Sequence, residues 1–196
     1  MKYYSIKLKK NNTGRYAYFI EDIDFLNPEF LYQYITTKVV RLKFKHLEFR
    51  EGEIEISNDI PCEIELWTDT IPTCFGSLLF SSKAVDVFNN YISIENIKWI
   101  RTLVEFEELE IEYYLLSFLQ KNDVLDMKAT TFLKSDPDHI INPVVCLDKI
   151  LFHNIFCIPR SNWQMPSHLI ISDALKKEIL RKKLTGITFE QFKDIY

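Results

Sequence analysis

The chain has 196 residues, 47% of them apolar and 27% charged, with a net charge of −4. That is enough for one domain with its own core, since a chain of this size buries about 70% of its unfolded surface. It excludes wholesale disorder and a disulfide-stapled miniature.

The charge is unevenly spread: residues 1–50 carry net +5, 51–112 net −11 and 113–196 net +2. Residues 4–8 alternate apolar with polar and read as a half-buried strand. Asn11, Asn12, Thr13 and Gly14 signal a turn, and 15–20 returns as a second strand. Asn27 then stands as an N-cap with Pro28 and Glu29 behind it, which starts a helix ending near Thr37. Residues 39–49 read as a strand with Arg41, Lys43 and Lys45 on one face and Leu42 and Phe44 on the other. After a turn at Glu51 and Gly52, residues 53–56 and 62–67 add short strands, with Pro61 and Pro72 in the loops.

A strand–serine–helix unit follows. Leu78, Leu79 and Phe80 form a short apolar strand, Ser81 or Ser82 caps a helix, and Ala84, Val85, Phe88 and Tyr91 recur at helical spacing. Residues 97–106, 113–119, 124–127, 144–147 and a stretch within 150–158 read as strands, with loops at 135–138 and 159–166. The unit then returns: Leu169, Ile170 and Ile171 as strand, Ser172 as cap, Asp173 in the first turn, and Leu175 and Ile179 on one face. Arg181, Lys182 and Lys183 suit the last turn, and Gly186 suits a left-handed C-cap. Residues 187–189 close as a strand. Ser81 and Ser172 lie 91 positions apart. A duplicated half and a recurrent local solution both fit that pattern. The expected fold is α+β: mixed, mostly antiparallel sheets with a few packed helices, within a single domain over 1–196.

The usual catalytic and cofactor motifs are missing. Gly14, Gly52, Gly76 and Gly186 assemble neither G-x-G-x-x-G nor a phosphate loop. No G-x-S-x-G elbow occurs, so Ser81 and Ser172 read as caps and not nucleophiles. His46, His139, His153 and His168 form no close pair, and Asp136, Pro137, Asp138 and His139 read as a prolyl turn and not a metal site. Cys62, Cys74, Cys146 and Cys157 form no C-x-x-C pair and are expected as reduced thiols. No catalytic, cofactor or metal residue is assigned. Residues 1–10 hold no apolar secretion core, and runs such as 113–116 fall short of the ~18 residues of a membrane span. A cytoplasmic location is therefore expected.

Several segments together resemble one family. They are Tyr113-Tyr114-Leu115-Leu116, Val124-Leu125-Asp126, Ile155-Phe156-Cys157-Ile158, and the ending Leu169-Ile170-Ile171-Ser172, helix, Leu184-Thr185-Gly186-Ile187-Thr188-Phe189. Upstream, Leu78-Leu79-Phe80-Ser81 with Ala84-Val85-Asp86-Val87 fits the same pattern. The chain is similar, over about 75–196, to the immunity proteins of bacterial polymorphic toxin systems, in the type long known only as a domain of unknown function (immunity family eleven). Residues 1–74 match only as a strand-rich lead-in. The resemblance implies a non-enzymatic protein that binds a cognate toxin. Asp126 sits where the family tends to carry an aspartate, with a turn or cap contact as its expected role. The long glutamate run and the scarcity of glycine depart from the family pattern.

The acidic block refines the partner. Glu105, Glu107, Glu108, Glu110 and Glu112 read either as a solvated face or as a patch that steers a basic protein. Nucleic acid is disfavoured because this segment repels phosphate. A small enzyme with a site assembled from distant residues, and an adaptor module, stay as alternatives. Self-association is not readable from the chain.

Overall fold

The computed structural model describes residues 2–9, 15–19, 27–50, 53–58, 67–93, 95–159, 163–166 and 168–193. Its strands, in chain order, are β1 (Tyr3–Leu8), β2 (Arg15–Phe19), β3 (Val40–Arg50), β4 (Glu53–Ser57), β5 (Thr70–Pro72), β6 (Leu78–Phe80), β7 (Ile97–Phe106), β8 (Leu109–Phe118), β9 (Thr131–Leu133), β10 (Asp136–Asn142), β11 (Ile155–Phe156), β12 (Ile170–Ser172) and β13 (Ile187–Phe192). The helices are α1 (Pro28–Thr37), α2 (Ser82–Asn89), α3 (Leu147–Ile150) and α4 (Asp173–Arg181). The fold is mixed α+β with mostly antiparallel sheets, as the sequence implies. Among the described residues, no helix is long and apolar enough to cross a membrane.

The larger sheet runs β2-β3-β7-β8-β6-β5, with β4 continuing along β3. Among the described strand pairs β3 and β7 run parallel and the others antiparallel. It curls until β5 meets β2, where Thr73 bridges Ala17 and the Cys74 N–H donates to the Ala17 carbonyl at 3.0 Å. Strand alternation sends one face inward. There Phe19, Leu42, Phe44, Ile71, Leu79 and Leu115 pack with Leu31 and Ile35 of α1. Asn27 caps α1 as expected, its Oδ1 accepting from the Glu29 and Phe30 N–H groups at 3.1 Å each.

The smaller sheet runs β11-β12-β1-β13. A two-stranded sheet of β9 and β10 stands apart from these two, and between the larger pair of sheets lie α2 and α4 in mutual contact. The central core joins Phe80, Phe88, Leu116 and Phe118 to Ile6, Ile171, Leu175 and Ile179. Each such buried side chain contributes about 1.5–3 kcal/mol. A third cluster, with Tyr3, Ile150, Phe156 and Ile170, covers the outer face of the small sheet.

The strand–serine–helix units prove to be two settings of one larger unit. Strands β5-β6-β8-β7 and β11-β12-β1-β13 run in the same order, every neighbour antiparallel. Phe80 faces Tyr114 where Ile171 faces Tyr4. Trp99 faces Leu116 where Phe189 faces Ile6. Ser81 Oγ accepts from the Ala84 N–H at 3.2 Å and donates to Asp69 Oδ1 at 2.7 Å. Ser172 Oγ accepts from the Leu175 N–H at 3.2 Å and donates to Asn154 Oδ1 at 2.8 Å. The hydroxyls of Tyr113 and Tyr3, equivalent by register, donate to the buried carbonyls of Thr68 and Ile150 at 2.7 and 2.6 Å. The two units also reach across to each other. Asp69 Oδ2 accepts from the Thr185 N–H at 2.8 Å beyond α4, and Asn154 Nδ2 donates to the Tyr91 carbonyl at 3.2 Å beyond α2.

Other local expectations are corrected. Residues 124–127 and 144–147 form no strands. They meet only at the bridge Leu125↔Val145, because Asp126 Oδ1 takes the Lys128 and Ala129 N–H groups and turns the chain. That is the turn contact expected of Asp126. Residues 147–150 are helical and a turn follows, so the strand within 150–158 shrinks to β11. The loop at 135–138 is shorter than expected, since β10 starts at Asp136. The residue that leaves α4 in the left-handed region is Lys183 (φ 54). Gly186 (φ 86) serves a close approach instead: a Cβ there would stand 2.5 Å from the Thr70 carbonyl oxygen. The turns at 11–14 and 51–52, the strand residues 62–66, Pro61 and Cys62 lie outside the described residues.

Candidate partner-binding surface

The five glutamates singled out in the sequence lie on one hairpin, formed by β7 and β8. Glu105 faces Glu110 across it, Leu103 faces Glu112, and Glu107 and Glu108 form the turn. The turn carries no Gly or Asn, and Glu107 occupies the left-handed region at φ 53. That conformation costs a side-chain-bearing residue about 1–2 kcal/mol.

Three of the five charges are answered locally. Arg41 of β3 places Nη1 2.9 Å from Glu105 and 3.2 Å from Glu110, which separates two carboxylates that would otherwise repel. Arg101 pairs with Glu112, and the Tyr114 hydroxyl donates to the same carboxylate. The Tyr114 hydrogen bond, then Arg101, holds the Glu112 carboxyl below its ordinary range. The same bond holds the Tyr114 hydroxyl above its own. Among the described residues no ion pair reaches Glu107 or Glu108, so the net negative charge of the hairpin concentrates at its tip. Two adjacent uncompensated carboxylates at a protrusion project their field furthest into solvent.

Sequence reasoning missed two parts of this surface. Arg41 reaches the acidic segment only through the parallel β3–β7 pairing. No local window contains it. The other face of the hairpin is apolar: Val104 faces Ile111 and Phe106 faces Leu109. Val104 is fully buried, whereas Ile111 is 36% and Leu109 57% exposed. Alternation of Leu109, Ile111 and Tyr113 was the available signal, masked by the density of glutamate.

Two thiols and the two cap hydroxyls are held in structural roles. Burial pushes the Cys157 thiol up to about 12 and Cys74 up to about 11, which keeps both protonated at neutral pH. Both cap hydroxyls are committed on the donor and the acceptor side. Among the described residues no group of three His, Cys, Asp or Glu side chains is arranged to hold a metal ion.

The chain matches the model of the immunity protein family Imm11 over residues 3–194. It belongs to the Imm11 family. The match takes in the N-terminal strands as well as the 75–196 stretch that carries the resemblance, in keeping with β1 completing the sheet of the second unit. No curated protein matches this Imm11 chain.

Proposed function

We propose that this Imm11 chain is a cytoplasmic immunity protein that neutralises a cognate bacterial toxin by forming a protein–protein complex with it. It acts by binding and not by catalysis. The observation that carries the reading is the family match over residues 3–194. The β7–β8 hairpin supports a basic toxin as the partner, because Glu107 and Glu108 at its tip meet no ion-pair partner among the described residues, with Glu105, Glu110 and Glu112 on its flank. Complementary charge of this kind raises association rates more than it raises final affinity.

The test is co-expression with the toxin domain encoded beside the gene. Growth arrest by the toxin alone, relieved by this chain, is the expected result. Persistent arrest with both proteins present at equal levels would refute the reading. For the charge component, Glu107→Lys with Glu108→Lys should lower the association rate about tenfold at low salt and flatten its salt dependence. Association rates equal to those of the unsubstituted chain would make the tip a solvated turn only.

A further inference from the structure

The hairpin is two-faced, and the faces differ in chemistry. Along its inner face the cross-strand pairs run Ile100–Leu115, Thr102–Tyr113, Val104–Ile111 and Phe106–Leu109. The first two pairs lie inside the curled sheet, buried throughout. The β8 members of the next two do not: exposure rises to 36% at Ile111 and 57% at Leu109. The β7 members stay in contact with the interior, Val104 within it and Phe106 edge-on to Phe44 at 6.3 Å between ring centroids. The hairpin thus carries an apolar lane out past the rim of the sheet, anchored on one strand and uncovered on the other. Its opposite face is the carboxylate face of Glu105, Glu110 and Glu112, and its apex is Glu107 and Glu108.

We infer that this hairpin is a wedge whose apolar lane, Leu109 and Ile111, seats against an apolar wall inside a lysine- or arginine-rimmed cleft of the toxin. The inference rests on the immunity reading and deepens it by naming the anchor. Charge complementarity selects the occupant: an apolar lane edged by the Glu107 and Glu108 carboxylates fits a wall edged by cations, and repels an acidic or phosphate-bearing surface. The division of labour follows from physics. The tip charges act at long range and set the association rate. The apolar side chains act only at contact, where they are fully desolvated, and set the dissociation rate. The wedge is pre-formed by ten paired positions of β7 and β8 and braced by Arg41. Little ordering entropy is therefore lost on binding.

The experiment measures association and dissociation rates by surface capture, with the catalytically inactivated toxin domain encoded beside the gene as the probe. Leu109→Asp with Ile111→Asp should raise the dissociation rate about thirtyfold while changing association less than about threefold. Glu107→Ala with Glu108→Ala should do the reverse. Leu109→Ala and Ile111→Ala, each checked for an unchanged unfolding midpoint, repeat the measurement if the aspartates perturb the hairpin. Phe152→Asp, at an apolar side chain 93% exposed elsewhere on the surface, should alter neither rate. A wild-type complex whose dissociation is insensitive to all Leu109 and Ile111 variants overturns the wedge and leaves the immunity reading standing. Weakening by Phe152→Asp alone overturns the wedge in the same way. Failure of the wild-type chain to bind overturns both.

Discussion

Ser81 and Ser172 hold a hydrogen bond on each side of one hydroxyl, so each ties a helix start to the residue that leads into β5 or β11, Asp69 or Asn154. Loss of a serine cap costs about 1 kcal/mol, and leaving the Asx partner short of a donor adds to it. Ser81→Ala and Ser172→Ala should each lower unfolding stability by about 1–2 kcal/mol in urea titrations, and equal effects would reflect their equivalent settings. Gly186→Ala should be worse. It combines a left-handed φ with a Cβ 2.5 Å from the Thr70 carbonyl oxygen and 2.6 Å from Thr68 Oγ1. A loss of about 3 kcal/mol or failure to accumulate as folded protein is expected, read by the same titration. Cys157, buried and with its thiol pushed up to about 12, should resist alkylation at pH 8 in native protein and react once urea unfolds it. Peptide mass mapping after a timed pulse of reagent checks this.

At the level of elements, legibility in the sequence followed the range of the interaction that shapes each piece. The N-caps of α1, α2 and α4 were readable because Asn27, Ser81 and Ser172 act on N–H groups two or three residues away. β1 to β4 were readable from alternation, apart from their exact ends. β9 and β10 were not, since Ser135, Asp136 and Pro137 in succession read as a loop although β10 starts at Asp136. The β7–β8 turn was hidden because Glu107 and Glu108 are poor turn formers held by the two long strands around them. Of the candidate surface, the five glutamates and their shared location were visible. Their compensation by Arg41 was not, because it depends on a parallel pairing 64 residues apart in the chain. The tyrosines at equivalent register make a sharper comparison between the units. Tyr3→Phe and Tyr113→Phe each remove a buried hydroxyl from a carbonyl, and each should cost about 1 kcal/mol, measured by the shift of the urea midpoint.

Across the whole molecule, acid should be the weak side. Glu112, Asp173 and Glu178 are all held below the ordinary carboxylate range, by Tyr114 and Arg101, by Lys177 and by Arg181 respectively. A carboxyl with a lowered folded-state value contributes stability above its unfolded value and loses it as pH falls through the folded one. The urea midpoint should therefore stay level from neutrality to about pH 5 and decline below about pH 4. Substituting Glu112→Gln should shrink that decline. The way the chain is threaded also bears on how it is made. The four strands of the first unit, with α2, lie within 70–118, whereas the second unit needs β1 from one end of the sequence and β13 from the other, joined at Tyr3↔Phe192. On the ribosome, the first unit has all its strands in hand while β1 still waits, unpaired, for both of its neighbours. A nascent-chain force profile should therefore show one compaction step soon after residue 118 clears the exit tunnel and a second only when β13 does.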